Sequence, residues 1–88
     1  MHIAFDPDKR DKTLRELGLD FADAAAVFEG RSVTAVDDRI DYGETRYITY
    51  GWLSDEAVAV VWTEREEGVR VISMRRMHQW EIEHVGLD

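Results

Sequence analysis

The run Arg46-Tyr47-Ile48-Thr49-Tyr50-Gly51-Trp52-Leu53-Ser54-Asp55-Glu56-Ala57-Val58-Ala59-Val60-Val61-Trp62-Thr63-Glu64 decides the fold class. Its β-branched and aromatic residues favour a pleated chain, where their side chains pack well and avoid the crowding of a helical turn. Ser54-Asp55 interrupts the run with two polar residues, the length of a tight hairpin loop. The reading is two antiparallel strands, Arg46 to Leu53 and Glu56 to Glu64. Arg65-Glu66-Glu67-Gly68 then reads as a second turn and Val69 to Arg75 as a third strand. Upstream, Ser32 to Val36 reads as another strand, set apart by a polar loop from Asp37 to Glu44.

Helices flank this meander. Met1 to Phe5 alternates enough for a short strand. Asp6 carries an oxygen that can cap a helix, and Pro7 suits its first position, where a backbone N–H would have no partner. Gly18 supplies a stop after Leu17. A second helix is expected from Asp20, with Phe21, Ala24, Ala25, Val27 and Phe28 at helical spacing and Gly30 at its end. The short link implies that the two helices pack as neighbours. Arg76 to His84 is expected as a short C-terminal helix with Met77, Trp80 and His84 or Val85 on one face. The plan is α+β: two N-terminal helices and a short C-terminal helix on an antiparallel sheet, one domain over residues 1–88.

Composition narrows the function. With 88 residues, 44% of them hydrophobic, the chain can build one modest core. The absence of cysteine removes disulfides and thiolate metal sites and fits a cytoplasmic protein. The three histidines lack metal-ligand spacing, so neither metal nor other cofactor is expected. The longest apolar run, Ala57 to Trp62, falls far short of the roughly 20 residues of a membrane span, and no stretch reads as a signal peptide. No membrane association is expected. A net charge of -8 opposes casual binding to nucleic acid and suits a basic partner.

Against that acidity the strand arginines stand out. A two-residue loop at Ser54-Asp55 sets Leu53 opposite Glu56, and hence Arg46 opposite Thr63. A turn centred on Glu66-Glu67 sets Arg65 opposite Gly68, and Thr63 opposite Arg70. Because side chains alternate, Arg46, Thr63 and Arg70 form a row on one face with Arg65 just beyond. The row can hold a phosphate, since guanidinium groups grip its oxygens through paired hydrogen bonds. It can equally be an ion-paired cluster neutralised by Glu44, Glu64, Glu66 and Glu67. Arg75 lies roughly 15 Å along the strand from Arg70, too far for the same phosphate, and reads as a helix-supporting or partner-binding cation.

The order of residues also resembles a known family. Phe5-Asp6-Pro7-x-Lys9 is followed by Arg15-x-x-Gly18-Leu19-Asp20-Phe21-Ala22-Asp23-Ala24 and Val27-Phe28. Asp37-Asp38-Arg39-x-Asp41-Tyr42-Gly43-Glu44-x-Arg46, Trp62-Thr63-x-Arg65 and Arg70-x-Ile72-Ser73-Met74-Arg75-Arg76 then appear, with Glu81 in the last helix. This pattern is similar to BrnT-type toxins, which resemble RelE-type ribonucleases. The resemblance implies metal-independent RNA cleavage and neutralisation by a BrnA-like antitoxin with a ribbon-helix-helix domain, through which alone operator DNA is bound. It gives Arg46 and Arg65 the catalytic phosphate contacts, with Arg70 in support. Glu64 stands as candidate base and His78 as candidate acid. Lys9, Lys12 and Arg75 are candidate RNA contacts, and Trp52, Trp62 and Trp80 could stack bases, although packing is the ordinary use of Trp62 and Trp80. The last helix departs from the pattern: His78 to Val85 is nearly without cations. A second reading follows, a catalytically weakened toxin homologue that acts as an antitoxin-binding co-repressor.

Overall fold

The computed structural model describes residues 1–87. Along the chain lie β1 (His2–Phe5), α1 (Pro7–Leu17), a 3-10 turn (Phe21–Asp23) and α2 (Ala24–Glu29). These lead into β2 (Ser32–Asp37), β3 (Arg46–Leu53), β4 (Glu56–Arg65), β5 (Gly68–Arg76) and α3 (Gln79–Val85). The five strands form one sheet in the order β1-β5-β4-β3-β2. All pairs are antiparallel except β1 with β5, which run parallel. The α+β plan of helices on a sheet holds.

Local signals explain the helix ends. Asp6 accepts the Asp8 N–H at 2.9 Å, satisfying a donor the first turn leaves free. Gly18, at φ 72°, takes the left-handed geometry that closes α1 and donates its N–H to the Leu14 carbonyl. No residue of α1 is buried. Its attachment is polar: Arg10 bonds Asp20 through two nitrogens at 2.8 and 2.7 Å, and Arg76 donates to the Leu17 carbonyl at 2.6 Å.

One face of the sheet builds the core. Leu19, Phe21, Ala24 and Val27 pack on Val58, Val60, Val71 and Met74. Phe5 meets Phe21 edge-on, and Phe28 meets Trp62 in the same way. The Trp62 indole N–H donates to the Thr49 hydroxyl at 2.8 Å, so these two groups are paired. The opposite face carries a smaller apolar cluster of Ile48, Ala59 and Val61, joined by Tyr50, Ile72 and Met77. Helix α3 covers one end of this second face and leaves the other end open.

Several expectations need correction. The second helix begins at Ala24, after a 3-10 turn, because Asp20 caps Ala22 and the chain must tuck Phe21 into the core. Strand β5 runs through Arg76, and the last helix starts at Gln79 rather than Arg76. The Met77 N–H still bonds the Ala57 carbonyl at 2.9 Å, which keeps the chain extended. Trp80, expected inside, is 65% exposed; Glu81 and Leu87 are buried instead.

Phe21 is 1% exposed at the centre of the core. Phe21→Ala should destabilise the fold by about 3–5 kcal/mol, read as a lower midpoint in urea unfolding.

Candidate nucleic-acid interface

The turns set the register that the spacing anticipates. Leu53 faces Glu56, Thr63 faces Arg70 and Arg65 faces Gly68. Arg46 pairs with Asp37 of β2, and the adjacent pair Tyr47 with Trp62 carries the β3–β4 register toward Thr63. The Thr63 hydroxyl donates to the Thr45 carbonyl at 2.9 Å, which ties the loop end to β4. The open end of the second face therefore shows Asp37, Arg46, Thr63 and Arg70 side by side across four strands. Between Val61 and Trp62 the β4–β5 register shifts. This bulge brings Arg70 and Arg75, five positions apart, onto the same face, which regular alternation forbids.

The arginines fall into two classes. Arg39 grips Asp37 through two nitrogens at 2.7 and 2.8 Å. Arg75 grips Glu81 through two at 2.8 Å. Arg76 pairs with Glu56. Arg65 lies 3.6 Å from Glu44 and donates to its neighbour's carbonyl. Among the described residues, Arg46 and Arg70 have no ion-pair partner. The Arg46 Nε is buried and lacks any hydrogen-bond partner, and the guanidinium lies 3.9 Å over the Tyr42 ring.

Electrostatics follow this pairing. The nearby Thr63 side chain, when its hydroxyl turns from the Thr45 carbonyl, and the Arg65 and Arg46 guanidiniums hold the Glu44 carboxyl below the usual carboxylate range. Arg39 does the same for Asp37, with a smaller pull from Arg46. Hydrogen bonds from Arg75 lower Glu81 to about 2, and the His78 backbone N–H adds to them.

Other candidates lie elsewhere. Glu64 turns to the opposite face, where it accepts the Tyr47 hydroxyl at 3.1 Å; strand alternation separates it from the row. His78 caps α3 and lines a groove with Ile48, Tyr50, Arg75 and Trp80, while Arg46 lines a neighbouring hollow. Lys9 and Lys12 lie together on α1. Arg75 supports the helix, as one of its two expected uses. Spacing placed Thr63 in the row but did not single out Tyr42. Its signal was the polar loop before Arg46. Among the described residues no cluster of His, Asp and Glu is arranged to hold a metal ion, and no helix is long and apolar enough to cross a membrane.

The structure is a small α+β domain with two arginines, among the described residues, free of ion pairs at an open sheet end. The family comparison makes its class specific: a model described as "Ribonuclease toxin, BrnT, of type II toxin-antitoxin system" matches residues 5–81. The chain belongs to the BrnT ribonuclease toxins, and its partner is a cognate antitoxin. Comparison with curated proteins finds no match.

Glu81 ties α3 to the sheet through its charge. Its folded pKa of about 2 lies below the ordinary 4.5, so its stabilisation is full above the unfolded value and is lost as pH falls toward 2. Glu81→Gln should therefore lower stability at neutral pH, and the gap to the unsubstituted protein should close between pH 4.5 and 2. Thermal unfolding across that range checks it.

Proposed function

We propose that the row of Arg46, Arg65 and Arg70 binds the scissile phosphate of RNA and that cleavage needs no metal. The observation that carries this reading is that Arg46 and Arg70, on the open end of the sheet, have no ion-pair partner among the described residues. Guanidiniums without a carboxylate beside them are free to take phosphate oxygens. Tyr42, packed against the Arg46 guanidinium, holds its plane.

In the reaction the ribose 2′-oxygen attacks the adjacent phosphorus, and the bond from phosphorus to the 5′-oxygen breaks. The departing 5′-oxygen takes a proton from water, and the products are a 2′,3′-cyclic phosphate and a 5′-hydroxyl. Charge grows on the nonbridging oxygens, where the guanidiniums stabilise it more than in the ground state. Of the carboxylates, Glu44 stands beside the row, and we assign it the proton of the 2′-hydroxyl. Like any carboxylate it is ionised at neutral pH, and the neighbouring guanidiniums that lower its pKa make it a weak base, so positioning carries its part. Glu64 and His78, which lie apart from the row, have no role in this scheme.

The antitoxin is proposed to be BrnA-like, with a ribbon-helix-helix domain that carries any contact with operator DNA. A net charge of -8 suits a basic toxin-binding segment. An RNA substrate and a cognate antitoxin fit work in the cytoplasm. The sparse cations of α3 leave the co-repressor reading as the alternative outcome.

With purified protein, cleavage should persist in excess EDTA and fail on RNA carrying a 2′-deoxy group at the cut. Arg46→Ala and Arg65→Ala should each slow it about 10²- to 10³-fold, with circular dichroism unchanged. Loss of activity in EDTA would reject the metal-free mechanism. A folded chain without cleavage, yet bound to its antitoxin, would select the co-repressor reading.

A further inference from the structure

Beside the arginine row, on the same face, lies a groove of about 460 Å³ between α3 and the β2–β3 half of the sheet. Its size is that of a small-ligand site. Trp80 stands at its wall, and the His78 ring lies 6.5 Å away at an interplanar angle of only 8°, which extends the aromatic surface. An indole 65% exposed on a seven-residue helix contributes little to folding. The floor is apolar, from Ile48 and Ala35, with Tyr50 partly exposed beside it.

The polar rim is already rigid. Arg39 and Arg75 are each locked by a carboxylate through two nitrogens, Asp37 for one and Glu81 for the other. Arg39 Nη1 makes no hydrogen bond among the described residues, while Arg75 Nη1 also donates to the Arg76 carbonyl at 3.2 Å. The Asp38 carboxylate also lines the groove and adds an acceptor. A flat apolar floor, an aromatic wall and fixed donors beside an acceptor match a nucleobase, which offers π faces and a hydrogen-bonding edge. The site is continuous with the row: Asp37 belongs to both, and Ile48 lies two residues from Arg46, about 7 Å along β3. That is the reach of a single nucleotide.

We propose that this groove is a nucleobase site, in which Trp80 stacks on the base next to the phosphate held by the arginine row. The inference rests on the RNA-binding part of the function above. It makes Trp80 a specificity-determining residue and Arg39 and Asp38 the edge-reading pair.

The test uses the full chain and two uncleavable probes, a 2′-O-methylated RNA hexamer and its abasic counterpart with the same phosphates. The hexamer should quench tryptophan emission saturably. In Trp80→Ala that quench should vanish and affinity should fall about 10-fold, the scale of one lost base–aromatic stack. The abasic probe should bind the protein and the variant alike. Equal weakening toward both probes, or none toward either, overturns the groove. So does a Trp80→Ala variant that loses antitoxin binding while it keeps the hexamer, since the occupant is then a peptide. Because neither probe is cleaved, base-dependent binding without cleavage of natural RNA removes only the nuclease step. Cleavage with base-independent binding removes only the groove.

Discussion

Strand β4 serves two environments at once, and the rest of the molecule depends on its alternation. Val58, Val60 and Trp62 point into the core under α2, while Ala59, Val61 and Thr63 point to the opposite face. A slip of one residue would exchange the two sets and put Thr63 into the apolar core. Two short turns, Ser54-Asp55 and Glu66-Glu67, prevent the slip by fixing both neighbouring registers. The core thus places the cations: burying Val60 and Trp62 necessarily turns Arg46 and Arg70 outward on the other side.

The distribution of charge gains meaning from that frame. An acidic protein repels polyanions at long range, so binding must come from local geometry. Here most arginines of the open face are already committed, Arg39 to Asp37, Arg75 to Glu81 and Arg65 partly to Glu44. These pairs are structural. They brace the loop before β3 and anchor α3 to β5. What is left for a ligand is a narrow strip around Arg46 and Arg70, flanked by a groove with an exposed indole. With so few free cations, the proposed RNA site would discriminate by shape and short-range bonds more than by bulk attraction, and its salt dependence would be shallow.

Much of this was legible in the chain. Period-two alternation identified β2 to β5, and counting residues across two tight turns placed Thr63 opposite Arg70 and Arg65 opposite Gly68. The assignment of Glu64 as a base came from its nearness in sequence, and alternation sends it to the far face with Tyr47. Trp80 looked internal because a helix pattern gives the spacing of an apolar stripe but not the direction in which the helix docks. Glu81 took the inner position, since a paired and hydrogen-bonded carboxylate is stable there.

Residues close in sequence determined the strands, the turns, the helix caps at Asp6 and Gly18, and the row of arginines that follows from them. These are consequences of backbone sterics and of side-chain period, which act over a few residues. Only the tertiary structure decided the parallel pairing of β1 with β5, the bulge that brings Arg75 to the face of Arg70, and the carboxylate that each arginine takes. It also decided that Arg46 keeps a buried, unpartnered nitrogen. Those outcomes depend on groups far apart in sequence competing for the same partners, and such a competition is settled when the chain is packed.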